Sequence, residues 1–311
     1  MSEIRKALDE YLDIRRALGF KLRDEGTALP QFVDFLEEQG SQFITTDLAL
    51  RWATQPENVQ PAHWTRRLSM VRIFARFYNA MVPQTEIPPQ GILPFRYRRK
   101  SPYIYDDNEI LRLIEAANNI VSKSGLRAST YSTLFGLLAV TGMRISEPIS
   151  LDRQDVDLAR GILTIRHTKF GKSRLVMLHS STVDKLLEYR QLRDRLIAKP
   201  KSPSFFISER GLRLTHWTVR WTFVKLSREI GLRGLHDSHG PRLHDIRHTF
   251  AVKTLMKWYK SRVDIERHMP ELATYLGHKH VNDTYWYISA TPELLHLATK
   301  RLDTFQGGLL S

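Results

Sequence analysis

The chain of 311 residues contains no cysteine. It therefore cannot form a disulfide, use a thiolate nucleophile or hold zinc through cysteine ligands. Its longest apolar run, residues 134–140, is far shorter than the roughly 20 residues that a membrane-spanning helix needs. The first ten residues, MSEIRKALDE, are charged and helical in pattern, unlike a secretory signal peptide. We therefore expect a cytoplasmic protein that has no membrane partner.

Internal repeats and low-complexity tracts are also absent, and 311 residues suffice for two domains. Acidic residues are too few to balance the basic ones, so the formal net charge is +14 at pH 7. Residues 1–95 hold 11 Lys and Arg against 12 Asp and Glu, whereas residues 96–311 hold 36 against 21. This excess favours a polyanionic partner, double-stranded DNA above all, bound mainly by the second part of the chain. A basic excess that serves only solubility is the alternative.

Apolar residues recur at helical spacing in the first part of the chain, which predicts helices over residues 4–18, 27–38, 46–52 and 61–81. We expect a helical domain over residues 1–88. Four basic residues of the fourth helix lie largely off its apolar stripe and are candidates for contact with DNA phosphates or simply for a solvated face: Arg66, Arg67, Arg72 and Arg76.

Five prolines between residues 83 and 102 disfavour regular structure, and we expect a basic linker over residues 89–101. It either crosses a DNA backbone or is a plain tether. Its basic residues are Arg96, Arg98, Arg99 and Lys100.

The remaining residues, 102–311, are predicted to form a second domain. Helical patterns cover residues 106–119, 129–140, 182–198, 215–230, 244–260, 269–276 and 292–302. Residues 161–178 instead alternate with a period of two on either side of a glycine turn, which predicts a β-hairpin. The fold class is therefore mainly α with a small antiparallel β-sheet.

Two short segments contain arginines suited to binding phosphate through their planar fork of donors. TGMRISE, residues 141–147, places Arg144 just after a glycine that ends a helix, with Glu147 three residues on to orient it. HDIRHTF, residues 244–250, places His244 and Arg247 on one helix face. HDIRH also imitates a zinc-binding HExxH motif that would use His244 and His248, but Asp replaces its catalytic Glu and no third ligand stands out, so we expect no metal.

A third segment, LGHKHVNDTYWY, residues 276–287, supplies His278 and, nine residues later, Tyr287. Tyrosine can form a covalent ester with phosphorus, and Tyr275 and Tyr285 are competing candidates. The hairpin turn KFGKS adds Lys169 and Lys172, either of which can donate a proton over DNA or simply face solvent. Together the segments predict a phosphoryl-transfer site.

In these motifs and their order the chain resembles the tyrosine recombinase, or phage integrase, family, over roughly residues 130–290. The resemblance implies a helical core-binding domain, followed by a mixed α/β catalytic domain. It assigns catalytic roles to Arg144, Lys169, His244, Arg247, His278 and the nucleophile Tyr287, with Glu147 in support. The spacing after LGH selects Tyr287 over Tyr285, and the usual position of the lysine favours Lys169 over Lys172. The stretch between the second and third motifs looks closer to transposon-borne members.

The resemblance further implies a site-specific recombinase that works through a 3′-phosphotyrosyl intermediate, without metal, ATP or other cofactor. We expect it to act at the nucleoid and to self-associate on DNA as a dimer to tetramer, with sister recombinases or accessory factors as further partners. The C-terminal helix and tail either pack on a neighbouring protomer or on their own domain. The alternatives are a non-catalytic DNA-binding protein, a zinc hydrolase and a type IB topoisomerase.

Overall fold

The computed structural model describes residues 2–94, 101–166, 173–261, 263–289 and 291–307. For Ser289 and residues 301–307 it describes the backbone alone. The chain divides into two compact units, Met1–Lys100 and Ser101–Ser311. In the parts of the chain just given, no helix is long and apolar enough to cross a membrane.

Over residues 2–94 the first unit contains four helices, α1 (Glu3–Ala17), α2 (Glu25–Glu38), α3 (Thr46–Thr54) and α4 (Pro61–Asn79). Ser2 and Thr45 cap α1 and α3 by accepting hydrogen bonds from backbone N–H groups of the first turn. The helices enclose one apolar core in which the aromatic rings of Phe32, Trp52 and Phe74 are fully buried. The four helices predicted for this part of the chain are therefore confirmed.

Arg72 of α4 differs from the expectation that it lies on a solvated face. Its side chain is buried, and its Nε and Nη2 atoms donate hydrogen bonds of 2.6 and 2.7 Å to the carbonyls of Pro88 and Pro89. Carbonyls in such a proline-rich segment lack partners from regular structure, and a buried guanidinium supplies them. Arg72 therefore fastens residues 88–89 to α4, and its predicted contact with DNA is not supported by its position.

The second unit contains nine helices among its described residues: α5 (Asp107–Asn118), α6 (Leu126–Thr141), α7 (Ser146–Ser150), α8 (Ser180–Leu196), α9 (His216–Glu229), α10 (Leu243–Lys260), α11 (Ile265–Leu276), α12 (Asn282–Tyr285) and α13 (Pro292–Gly307). Short 3-10 helices cover Arg153–Asp155 and Trp286–Ser289. The α11 helix begins four residues before its predicted start because Asp264 caps it. The pattern did not predict α7, α12 or the 3-10 helices, since one or two turns are too short for periodicity to be visible.

Three antiparallel strands form a small sheet in the order β1 (Val156–Asp157), β2 (Ile162–Ile165) and β3 (Arg174–Met177). Leu163 of β2 pairs with Val176 of β3, and both side chains are fully buried on one face. The alternation predicted for the hairpin is thus confirmed. Its turn, with Lys169 and Lys172, lies outside the described residues.

Two apolar clusters stabilise the second unit. The larger one joins the sheet to α5, α6, α8 and α9. The smaller one lies between α10, α11 and the residues that follow them, and it includes the ring of Tyr287. The segments that carry Arg247 and Tyr287 therefore meet in this smaller cluster, where α10 and α11 pack together.

Candidate active site

Two glycines end the helices that lead into the site. Gly142 follows α6 and Gly277 follows α11, and both adopt left-handed backbone conformations with φ of 60° and 69°. This conformation is costly for residues with a Cβ atom. A Cβ atom at Gly277 would also lie 2.9 Å from Nη1 of Arg174. Glycine at these positions lets the chain turn sharply and approach the arginines of the site.

Arg144 follows the first of these turns and is held from two sides. Its Nη2 donates to the carbonyl oxygen of Gly277 at 2.9 Å, and its Nη1 donates to Glu147 Oε1 at 3.2 Å. The Glu147 carboxylate also accepts a hydrogen bond of 2.9 Å from the backbone N–H of Arg144. The predicted pairing of these two residues is therefore present in the structure.

Arg247 projects from the first turns of α10 and is almost completely buried. Its Nη1 donates to the carbonyl of Gly142 at 2.9 Å, and its Nη2 donates to the carbonyl of Leu276 at 2.7 Å. Burial, followed by the charge of Arg144, lowers the pKa of the Arg247 guanidinium to about 10, so it stays charged at neutral pH. The two predicted arginines thus converge on the carbonyl end of α11.

Arg174 is a member of this cluster that the sequence interpretation missed. Its Nη1 and Nη2 donate to the two oxygens of Glu147 at 2.9 and 2.8 Å, and its Nε donates to the carbonyl of Tyr275 at 2.8 Å. The sequence did contain a signal for Arg174, because the period of two along β3 places it on the same face as buried Val176.

Glu147 lies at the centre of this network, and its side chain is 5% exposed. Burial raises the pKa of Glu147, but hydrogen bonds and charge from Arg174 outweigh this effect and hold the pKa below its ordinary value. The carboxylate is therefore ionised at neutral pH, and it links β3 to the turn that carries Arg144.

His278 directly follows Gly277 and is oriented by Thr284. Its Nδ1 lies 2.7 Å from the Thr284 hydroxyl oxygen, which leaves Nε2 for another partner. Burial, followed by the charges of Arg247 and Arg144, lowers the pKa of His278 to about 4. The imidazole is therefore neutral at pH 7, and a phosphate that approaches it meets a hydrogen-bonding group rather than a third cation.

His244 lies in the first turn of α10 with its side chain exposed. Desolvation by the surrounding protein, followed by the charge of Arg247, lowers the pKa of His244. Its ring packs edge to face on His248, with 4.7 Å between the centroids.

The three candidate nucleophiles differ in their surroundings. Tyr287 is buried with its ring stacked on His278 at a centroid distance of 6.1 Å, and its Oη lies 3.2 Å from His248 Nδ1. Tyr285 is 40% exposed, and Tyr275 stacks on Phe250. Of the three, Tyr287 thus lies against the histidines of this cluster. His248 belongs to the cluster too, although the sequence interpretation weighed it only as a metal ligand.

The remaining predicted residues lie in or next to the first unit. Arg66 forms an ion pair with Asp24 and is exposed, as is Arg76. Arg67 lies over the ring of Trp52, with its Cζ 3.6 Å from the centroid. Four further predicted residues lie outside the described residues: Arg96, Arg98, Arg99 and Lys100. In the ranges that the structure describes, no group of three His, Asp or Glu side chains has the placement to hold a metal ion.

Comparison with known proteins identifies the family. A sequence model of a protein family, the phage integrase family, matches residues 104–293. This match covers more than half of the chain and includes the whole cluster around Arg144, Arg247 and Tyr287. The chain belongs to this family. It is a tyrosine-type, site-specific DNA recombinase.

This recombinase is 50% identical over 307 residues to integrase/recombinase y4rB of Sinorhizobium fredii, with 97% of this chain and 98% of the relative covered. It is 29% identical over 223 residues to tyrosine recombinase XerD of Staphylococcus saprophyticus, with 71% and 70% covered. The Tn1549 transposon integrase, solved in complex with transposon right end DNA, matches with a TM-score of 0.63 at 16% identity, covering 96% of this chain and 99% of that one. These findings confirm the resemblance and the predicted fold class.

Proposed function

We propose that Tyr287 attacks a phosphodiester of duplex DNA and forms a 3′-phosphotyrosyl intermediate with release of a 5′ hydroxyl. One observation carries this proposal: Arg144 and Arg247 converge on the carbonyl end of α11, directly beside His278, on which the ring of Tyr287 is stacked. A nucleophile and preorganised donors for a phosphate are thereby within one small volume.

The arginines would stabilise the charge that accumulates on the nonbridging oxygens in the transition state. Each guanidinium has five N–H donors, so both retain donors for phosphate beside their bonds to carbonyls. Neutral His278 adds a further donor through Nε2 when its Nδ1 accepts the hydrogen bond of the Thr284 hydroxyl. Glu147 and Arg174 act on Arg144 by fixing the turn that presents it, and we assign them positioning roles.

The leaving 5′ oxygen needs a proton, and Lys169 is the donor that we propose, ahead of Lys172. General acid catalysis of this kind contributes typically about 10²–10⁴-fold. The covalent ester retains the energy of the broken bond, so rejoining needs neither ATP nor a metal. Attack by a 5′ hydroxyl from a second duplex then completes the exchange of one strand, and a second round exchanges the other.

Double-stranded DNA is the proposed partner, bound through the basic excess of residues 96–311. Exposed Arg66 and Arg76 of α4 are candidates for further phosphate contacts. Structural neighbours include a lambda integrase dimer bound to a core site and a tetramer bound to a Holliday junction. We propose that this chain likewise forms dimers to tetramers on DNA, acts at the nucleoid and belongs to a mobile element.

The test is to trap covalent complexes on nicked duplexes made from the ends of the element or locus that encodes the chain. Wild type should form an adduct, whereas Tyr287→Phe should bind the same DNA and form none. Tyr285→Phe is the matched control, because it removes an exposed hydroxyl two residues away. An adduct with Tyr287→Phe, or its loss with Tyr285→Phe, would refute the assignment of the nucleophile.

A further inference from the structure

The phenol oxygen of Tyr287 has a specific partner. Tyr287 is only 2% exposed, and its Oη lies 3.2 Å from Nδ1 of His248, which is 7% exposed. A buried phenol cannot pass its proton to bulk water. Among the described residues, His248 contacts Oη directly and has a ring nitrogen that can receive this proton.

Packing fixes the orientation of the His248 ring. It lies one turn after His244 on α10 and packs edge to face against the His244 ring, with 4.7 Å between centroids. The ring of Trp286 packs edge to face on it as well, at a centroid distance of 5.5 Å. With the ring so held, its Nδ1 edge stays directed at the phenol of Tyr287.

His278 and His244 have different contacts. His278 packs against the face of the phenol ring, and its Nδ1 bonds to Thr284 rather than to Tyr287. His244 meets His248 and is exposed, which suits contact with a DNA phosphate. Arg247 is close enough to Tyr287 for their charges to interact. An arginine beside the phenol cannot accept its proton, because a guanidinium has donors only.

We propose that His248 is a catalytic residue that removes the proton from Tyr287 Oη as this oxygen attacks phosphorus. In this step the proton moves to Nδ1 of a neutral imidazole, the Oη–P bond forms, and the P–O5′ bond breaks. The 5′ oxygen leaves with a proton from the separate acid. When a 5′ hydroxyl later attacks the phosphotyrosine, the separate acid, now deprotonated, takes the hydroxyl proton as the O5′–P bond forms. The Oη–P bond breaks, and His248 returns its proton to Oη.

The inference rests on the proposed function, and His248→Asn tests it. Asparagine keeps a polar side-chain atom near the position of Nδ1 but cannot take up a proton. His268→Asn is the matched control, since His268 lies on α11 with its side chain 34% exposed and is paired with Glu271. Both variants and wild type are compared in DNA affinity, thermal unfolding and single-turnover cleavage of a nicked duplex from pH 5 to 9.

We expect His248→Asn to bind DNA within about twofold of wild type and to cleave it about 10²–10⁴-fold more slowly. The wild-type rate should rise with pH as the His248 imidazole loses its proton, and the variant should lack this rise. Cleavage within threefold of wild type, faster cleavage, or a slower rate with an unchanged pH profile would each overturn the proposal. Tyr287→Phe, run in parallel, shows separately whether the nucleophile assignment fails.

A second measurement leaves the buried histidine intact. In the part of the chain that the structure describes, the titratable groups whose rings contact His248 include His244 and Tyr287, and Arg247 and His278 lie next to the phenol. Replacing Tyr287 by 3-fluorotyrosine lowers the phenol pKa and leaves the imidazoles unchanged. If His248 is the base, the rise in rate stays at the same pH. A rise that moves to lower pH with fluorination belongs to the tyrosine and would overturn the proposal.

Discussion

The substitution Glu147→Gln tests whether one buried carboxylate holds the arginines of the site. The carboxylate accepts four hydrogen bonds, two from Arg144 and two from Arg174. Removing one member of a buried ion pair typically costs about 3–5 kcal/mol, because the partner charge is left uncompensated. Because glutamine keeps one acceptor oxygen, we expect Glu147→Gln to lower the free energy of unfolding by about 3 kcal/mol, the lower end of this range. This is a large fraction of the roughly 5–15 kcal/mol by which domains are stable.

The assay is urea unfolding at pH 7, followed by circular dichroism. Glu188→Gln is the matched control, since Glu188 pairs with Lys185 at the same three-residue spacing but has its side chain 62% exposed. Such an exposed pair contributes about 0–1 kcal/mol. A loss for Glu147→Gln no greater than that of the control would refute the argument.

The difference in stability between wild type and Glu147→Gln should also depend on pH. The pKa of Glu147 is lowered from its ordinary value of 4.5 in the folded chain. A depressed carboxylate pKa stabilises the fold above that ordinary value, and the stabilisation is lost as the pH falls through the folded pKa. The gap between wild type and Glu147→Gln should therefore narrow below about pH 4.5.

Two further outcomes are expected. Gly142→Ala should lower the free energy of unfolding by more than the roughly 1–2 kcal/mol of a left-handed backbone, because its Cβ would lie 2.5 Å from Cδ1 of Phe250. Gly125→Ala is the control, since Gly125 has a φ of 75° with nothing within 4 Å and the substitution incurs the backbone cost alone. Equal losses of stability in thermal unfolding would contradict the predicted clash. The folded chain lowers the pKa of His278 to about 4 from the ordinary value of 6.5. As the pH falls from 6.5 toward 4, the unfolded chain therefore binds a proton at His278 that the folded chain does not bind, and the free energy of unfolding decreases. His278→Asn should flatten that part of the curve of unfolding midpoint against pH, and an unchanged slope would remove His278 as its cause.

The local part of the site could be predicted from the sequence because it depends on short-range rules. A glycine at the end of an apolar helical run predicts a helix end, and Gly142 and Gly277 both end helices. The spacing of His244 and Arg247 likewise follows from the helix period.

Contacts between distant segments could not be predicted in this way. Arg174 contacts a carbonyl 101 residues away, and His248 contacts a phenol 39 residues away. Arg72 illustrates the same limit in the first unit, because its burial depends on two carbonyls 16 and 17 residues further on. Periodicity shows which face of an element is apolar, but it does not show which polar atoms will need a partner there.

The carbonyl end of α11 has a consequence for selectivity. A helix carries a partial negative charge of roughly half a unit at its C-terminus, and here that end already satisfies donors of Arg144 and Arg247. A small anion from the buffer gains only the donors that these carbonyls leave over, and it must approach the negative end of the helix. A phosphate within DNA is instead delivered by the many other contacts along the duplex. The site should therefore be a weak receptor for free sulfate or phosphate and responsive to a phosphate only when a whole duplex presents it.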